Sequence, residues 1–129
     1  MKAVLASQSA YNVKETVNRL VIFLQSRRMT IYARIDHQAE LRWFKQQTGA
    51  FEYLIFGDPN ASGPLIGENP FTALDLPIRL IVWEDNKGKC WVAYKNSRHL
   101  MKVYGVSAKY RVWLDLEDLI HEALSTKKD

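Results

Sequence analysis

Apolar residues along this chain recur with two different periods. Val13, Val17, Leu20, Val21 and Leu24 keep the spacing of one helix face, which predicts an amphipathic helix over 13–27. Asn12 and Glu15 stand three apart before it, the pattern of a capping box. Arg27 and Arg28 at its end suit the negative pole of the helix dipole. The period then shortens. Residues 29–36, MTIYARID, alternate and are β-branched, so they predict a strand with Ile31, Ala33 and Ile35 on one face and Tyr32 and Arg34 on the other. Residues 3–9 read as a short first strand, and 38–47 as a short helix stopped by Thr48-Gly49. Residues 51–56, FEYLIF, are apolar on both faces, as an interior strand requires. IRLIVWED and KCWVAY flank Asn86-Lys87-Gly88 and predict a hairpin. SRHLMKVYG reads as a short helix ended by Gly105. Leu116, Leu119, Ile120, Ala123 and Leu124 define a closing helix, acidic at its start (Asp115, Glu117, Asp118) and basic at its end (Lys127, Lys128). Strands mixed with flanking helices predict an α+β, two-layer fold. No linker or repeat divides the chain, so residues 1–129 form a single domain in this reading.

Residues 56–77, FGDPNASGPLIGENPFTALDLP, hold all four prolines and three of the six glycines. A phosphate loop of Walker type would need a Gly-Lys pair at the right distance, yet no Lys occurs from 57 to 77. The Rossmann fingerprint is also missing. Turn chemistry fits better. Gly57-Asp58-Pro59-Asn60 leaves a strand, Asn60 or Ser62 caps a short helix with Pro64 in its first turn, and Asn69-Pro70 opens another. Leu65, Ile66, Phe71, Leu74 and Leu76 are expected to pack on the sheet. That makes the segment an ordered lid, which can also roof a pocket.

Composition changes the picture little. An apolar fraction of 47% with 25% charged residues is that of an ordinary soluble globular protein. The N-terminus lacks a signal-like apolar run, and no stretch is long enough to span a membrane. A single cysteine, Cys90, suits a reducing, cytoplasmic setting, and its place on a hairpin strand predicts burial. The net charge of +4 is unevenly spread. From Asn86 through Leu114 no acidic residue occurs, against Lys87, Lys89, Lys95, Arg98, Lys102, Lys109 and Arg111. Such a face attracts anions. Trp91, Tyr94, Tyr104, Tyr110 and Trp113 interleave with it, a composition that single-strand nucleic-acid platforms use, but no RNP motif accompanies them.

Several segments in order resemble one family. They are Ile35-Asp36-His37 closing a strand, Leu54-Ile55-Phe56-Gly57-Asp58-Pro59, Gly63-Pro64-Leu65, Ala73-Leu74-Asp75-Leu76-Pro77, and Val82-Trp83-Glu84-Asp85. Over about residues 1–105 their order and spacing resemble the family of domain of unknown function 302, which is uncharacterised. The resemblance implies a curved, antiparallel-rich sheet with helices packed mainly on one face, and a homodimer. It implies no established reaction, and no cofactor is assigned. Asp58 stands where the family often has Asn, and Leu41 to Lys45 are more aromatic and basic than that family's small-residue stretch.

Candidate chemistry is sparse. Asp36 and His37 end a strand, with Asp58 and Glu84 after or on other strands, and these four are the candidate ligand-binding residues. HExxH and paired-Cys spacings are missing, so no metal is assigned, and there is no G-x-S-x-G elbow. His99 and His121 receive no role. The sequence thus points to a homodimeric module that binds a small molecule or partner. A metal- or acid/base-dependent enzyme using His37 with Asp36, Asp58 or Glu84 is the second class, and nucleic-acid binding through residues 86–114 the third.

Overall fold

The computed structural model describes residues 2–45, 48–107 and 116–125. Gln46 and Gln47 of the predicted second helix lie outside the described residues. So do Lys109, Tyr110, Arg111, Trp113 and Asp115 of the basic stretch and its border, and Lys127 and Lys128. The order is β1 (Val4–Ser9), α1 (Val13–Ser26), β2 (Thr30–Asp36), α2 (His37–Trp43), β3 (Phe51–Gly57) and α3 (Pro59–Glu68). A 3-10 helix (Pro70–Asp75), β4 (Ile78–Glu84), β5 (Cys90–Lys95), α4 (Ser97–Val103) and α5 (Leu116–Ser125) follow. The strands form one open antiparallel sheet in the order β1-β5-β4-β3-β2. This is the predicted α+β architecture.

Register sorts the side chains into two faces. Leu54, Leu80, Tyr94 and Leu5 make one inner row, and Glu52, Val82, Val92 and Ser7 the next. Helix α1 crosses from one edge strand to the other and lays Val13, Val17, Leu20 and Leu24 on this face. Leu116, Ile120 and Ala123 of α5 complete the core. Each such large side chain stabilises the fold by roughly 1.5–3 kcal/mol through burial. Asn12 Oδ1 accepts from the Glu15 amide at 2.8 Å, but Glu15 pairs forward with Arg19 at 3.2 Å, so only half of the capping box forms. Arg27 falls just past α1 and reaches Glu122 of α5 at 2.6 Å, tying the two helices together.

Two expectations need correction. The strand pairing shifts between Ile31 and Ala33, a bulge that inserts Tyr32. Ile31 therefore shares the face of Phe56, whereas Ala33 and Ile35 share that of Ile55 and Tyr53. Strict alternation cannot foresee the flip. It also puts Arg34 against α1, where it pairs with Glu52 and donates to Asn18, both at 2.6 Å. The second correction concerns the lid: Phe71 and Leu74 are exposed, at 71% and 69%, while Leu65 and Leu76 are buried. A tight 3-10 turn aligns every third residue, and here Thr72 takes the inward position.

The hairpin forms around Asp85, whose Oδ1 accepts from the amides of Lys87 and Lys89 and whose Oδ2 accepts from the Trp91 indole. These bonds, the indole's first, hold its carboxyl below the usual range. Gly88 takes the left-handed conformation there, and Gly105 does so to end α4. At the latter, Val106 N–H bonds Met101 O and Gly105 N–H bonds Lys102 O, a Schellman closure. No helix among the described residues is long and apolar enough to cross a membrane.

Candidate functional site

The four sequence candidates are not gathered into one group. Asp36 is the N-cap of α2, accepting from the Ala39 amide at 3.0 Å. Asp58 does the same for α3, accepting from Asn60 N–H at 3.0 Å, so the cap is neither Asn60 nor Ser62. Asp58 also borders a small cleft with Tyr32, Ser62 and Pro77, to whose walls the proline-rich segment contributes. Glu84 is exposed at the end of β4. No group of three or more metal-capable side chains occurs among the described residues.

His37 alone sits against an extended surface. Its ring meets Phe51 and Tyr53 edge-on, with centroids 5.6 and 5.4 Å away, and Glu40 lies 3.7 Å from Nδ1. Phe51 stacks in turn on Trp83 at 6.4 Å. These residues belong to the outer face of the sheet. One of its rows runs Phe51, Trp83, Trp91, Gln8; the next runs Ile35, Tyr53, Ile81, Ala93, Ala6. Beyond it, Ala33, Ile55 and Arg79 align on one side and Lys95 and Val4 on the other, and this third row brings the only charged residues of the three.

A cavity of about 350 Å³ opens at that third row. Val4, Ile81, Ala93 and Tyr53 come from the outer face, Ile78 and Tyr94 from the inner, Leu100 from α4 and Leu116 from α5, and Asp75, Arg79 and Lys95 supply charge. The volume falls within the range of small-molecule sites, roughly 300–1,000 Å³. Asp75 organises the polar side. Lys95 Nζ donates to Oδ1 and the Tyr104 hydroxyl to Oδ2. Burial raises the Asp75 pKa, but the hydrogen bonds from Lys95 and Tyr104, with the charges of Lys95 and Arg79, outweigh it and leave it lowered. The same bond, aided by burial, raises the pKa of Tyr104. Both groups move away from neutrality, so neither is poised to exchange a proton near physiological pH.

Sequence reasoning missed this trio because its members are distant along the chain. One signal pointed there: Asp75 is a lone carboxylate in the otherwise apolar Ala73-Leu74-Asp75-Leu76-Pro77. The described basic residues of 86–107 are not gathered at one place either. Lys87 and Lys89 lie in the hairpin turn, and Arg98 and Lys102 on α4, at opposite ends of a strand of six residues, about 20 Å long. Tyr94 is buried on the inner face while Trp91 belongs to the outer one.

Cys90 is 4% exposed, as the hairpin placement predicts. Desolvation chiefly pushes its thiol up, against a contact of 3.5 Å with the Thr16 hydroxyl. His121 bonds Ser7 at 3.0 Å.

The family described as Domain of unknown function DUF302 matches residues 5–126. Fluoride-specific ion channel FluC 1 of Brucella suis biovar 1 is 34% identical over 85 residues, 66% of this chain and 34% of that protein. Fluoride-specific ion channel FluC 2 of Brucella melitensis biotype 1 has the same identity and length of match, covering 32% of that protein. The chain spans about a third of the length of these curated relatives. The crystal structure of an uncharacterized conserved protein DUF302 from Bacillus stearothermophilus has a TM-score of 0.81 at 17% identity, covering 96% of this chain and 97% of that one. At that identity the likeness establishes the fold alone.

Proposed function

The chain belongs to the DUF302 family, which is defined by sequence and fold and not by a reaction, and on that premise we propose that it is a homodimeric module that binds a small molecule. The cavity beside Asp75, Arg79 and Lys95 carries this reading: it has the size of a ligand site, apolar walls and a few polar groups to one side. Preformed sites of that composition orient a ligand by a few polar contacts while burying most of its surface. General acid–base chemistry at this cavity would favour a group poised near neutrality, and Asp75 and Tyr104 are displaced from it in opposite directions.

Dimerisation is supported by the outer face. Helices α1 and α5 pack on the inner rows, leaving an aromatic-rich outer surface with α2 at one corner. Trp43 and Phe44 at the end of α2 are 84% and 68% exposed. An apolar surface beyond a few hundred square ångströms commonly marks an interface, and a two-fold contact is its usual form. A cytoplasmic location is part of the same proposal, resting on a lone, buried cysteine.

Amide NMR spectra recorded against a small-fragment collection test the ligand site. Hits should move the signals of Ile78 to Ile81 and Ala93 to Lys95, and Ile81→Trp, which fills the cavity, should abolish them. Shifts confined to other parts of the sheet, or none, would overturn the assignment.

A further inference from the structure

Resting on the ligand-binding reading above, we infer that the cavity takes a monoanion with an apolar body, a carboxylate carried on a short aliphatic chain or ring. The charges at the rim are unequal. Both oxygens of Asp75 are already used, one by Lys95 and the other by Tyr104. Arg79 donates one terminal N–H to the Leu74 carbonyl at 2.9 Å and has no carboxylate in ion-pair contact among the described residues. Among the described lining residues, two cations facing one carboxylate leave one positive charge in excess. A guanidinium presents its remaining donors in a planar fork that matches a carboxylate.

The interior sets the rest of the ligand. Ile78, Ile81, Ala93 and Leu100 line it with hydrocarbon. A cationic ligand would meet Arg79 and Lys95 as like charges and find Asp75 occupied. A polyanion would demand more than one uncompensated cation. A neutral apolar molecule would leave the Arg79 charge unanswered beside it. The Asp75 ion pair holds Lys95 in place, so the positive edge is fixed before the ligand arrives, which lowers the ordering cost of binding.

Displacement of the neutral dye Nile red from the full chain tests this, with octanoate, octanol and octylamine as competitors. Octanoate should displace dye at a concentration at least about tenfold lower than octanol, a difference of about 1.4 kcal/mol, with octylamine weakest. Added salt should narrow the gap in the wild-type protein, a readout that needs no variant. Arg79→Gln should erase the preference while dye still binds. Octanol matching octanoate would overturn the ligand class and leave the ligand-binding reading standing. Failure of dye and all three competitors to bind would overturn both. A preference for octanoate unchanged in Arg79→Gln and in salt would show that another group receives the head.

Discussion

Asp75 is the residue on which the polar side of the cavity depends. Its carboxyl is held below the ordinary value of 3.8 in the folded protein. A lowered folded-state pKa stabilises the fold above the unfolded value, and that contribution is lost as pH falls below it through the folded-state pKa. Asp75→Asn should therefore cost about 1 kcal/mol near neutrality, a modest figure because Lys95 is largely exposed. In urea unfolding the gap between variant and wild type should close below that value; an equal gap under acid would contradict the ion-pair role. His37 holds Tyr53 edge-on, and Tyr53 lines the cavity. His37→Ala should lower stability by no more than about 1.5 kcal/mol, the range of an aromatic pair, yet weaken dye binding measurably. A large stability loss with unchanged dye affinity would make the histidine purely structural. Cys90, buried and raised in pKa, should resist thiol reagents until the protein unfolds. Reaction at the native rate of an exposed thiol would show that the strand opens.

Among the elements, the proline-rich segment separates what could be read from sequence from what could not. Leu65 is 2% exposed and Leu74 is 69% exposed. Leu65→Ala should then cost about 2–5 kcal/mol in chemical denaturation, whereas Leu74→Ala should stay within about 0.5 kcal/mol. The reverse order would mean the segment packs through its other side. Helix α1 and the hairpin were legible because local chemistry and long-range packing agree there: Asn12 caps, Gly88 turns, and the apolar periods face the core. The bulge at Tyr32 was not, since one inserted residue leaves the pattern locally intact while reversing which face Ala33 and Ile35 join. Asp36 and Asp58 looked like site residues because a strand-end carboxylate has the same sequence signature whether it meets a ligand or caps the next helix. Asp75, Arg79 and Lys95 meet at the cavity from a 3-10 turn and two strands, information that no short motif contains.

At the scale of the molecule, one sheet serves two purposes. Its inner face is closed by α1 and α5 and supplies stability. Its outer face carries aromatic rows from His37 to Trp91 and ends in the cavity with its positive edge. A second copy seated on the aromatic rows would leave the Arg79 end as the place for a ligand. Native mass spectrometry of freshly purified protein tests dimer and ligand together. The expected spectrum shows twice the 15.0 kDa chain mass plus a small increment, removed by mild activation and missing from Ile81→Trp. A bare single-chain mass at every concentration, with the Ile81→Trp spectrum differing only by the substitution, would contradict the proposed function.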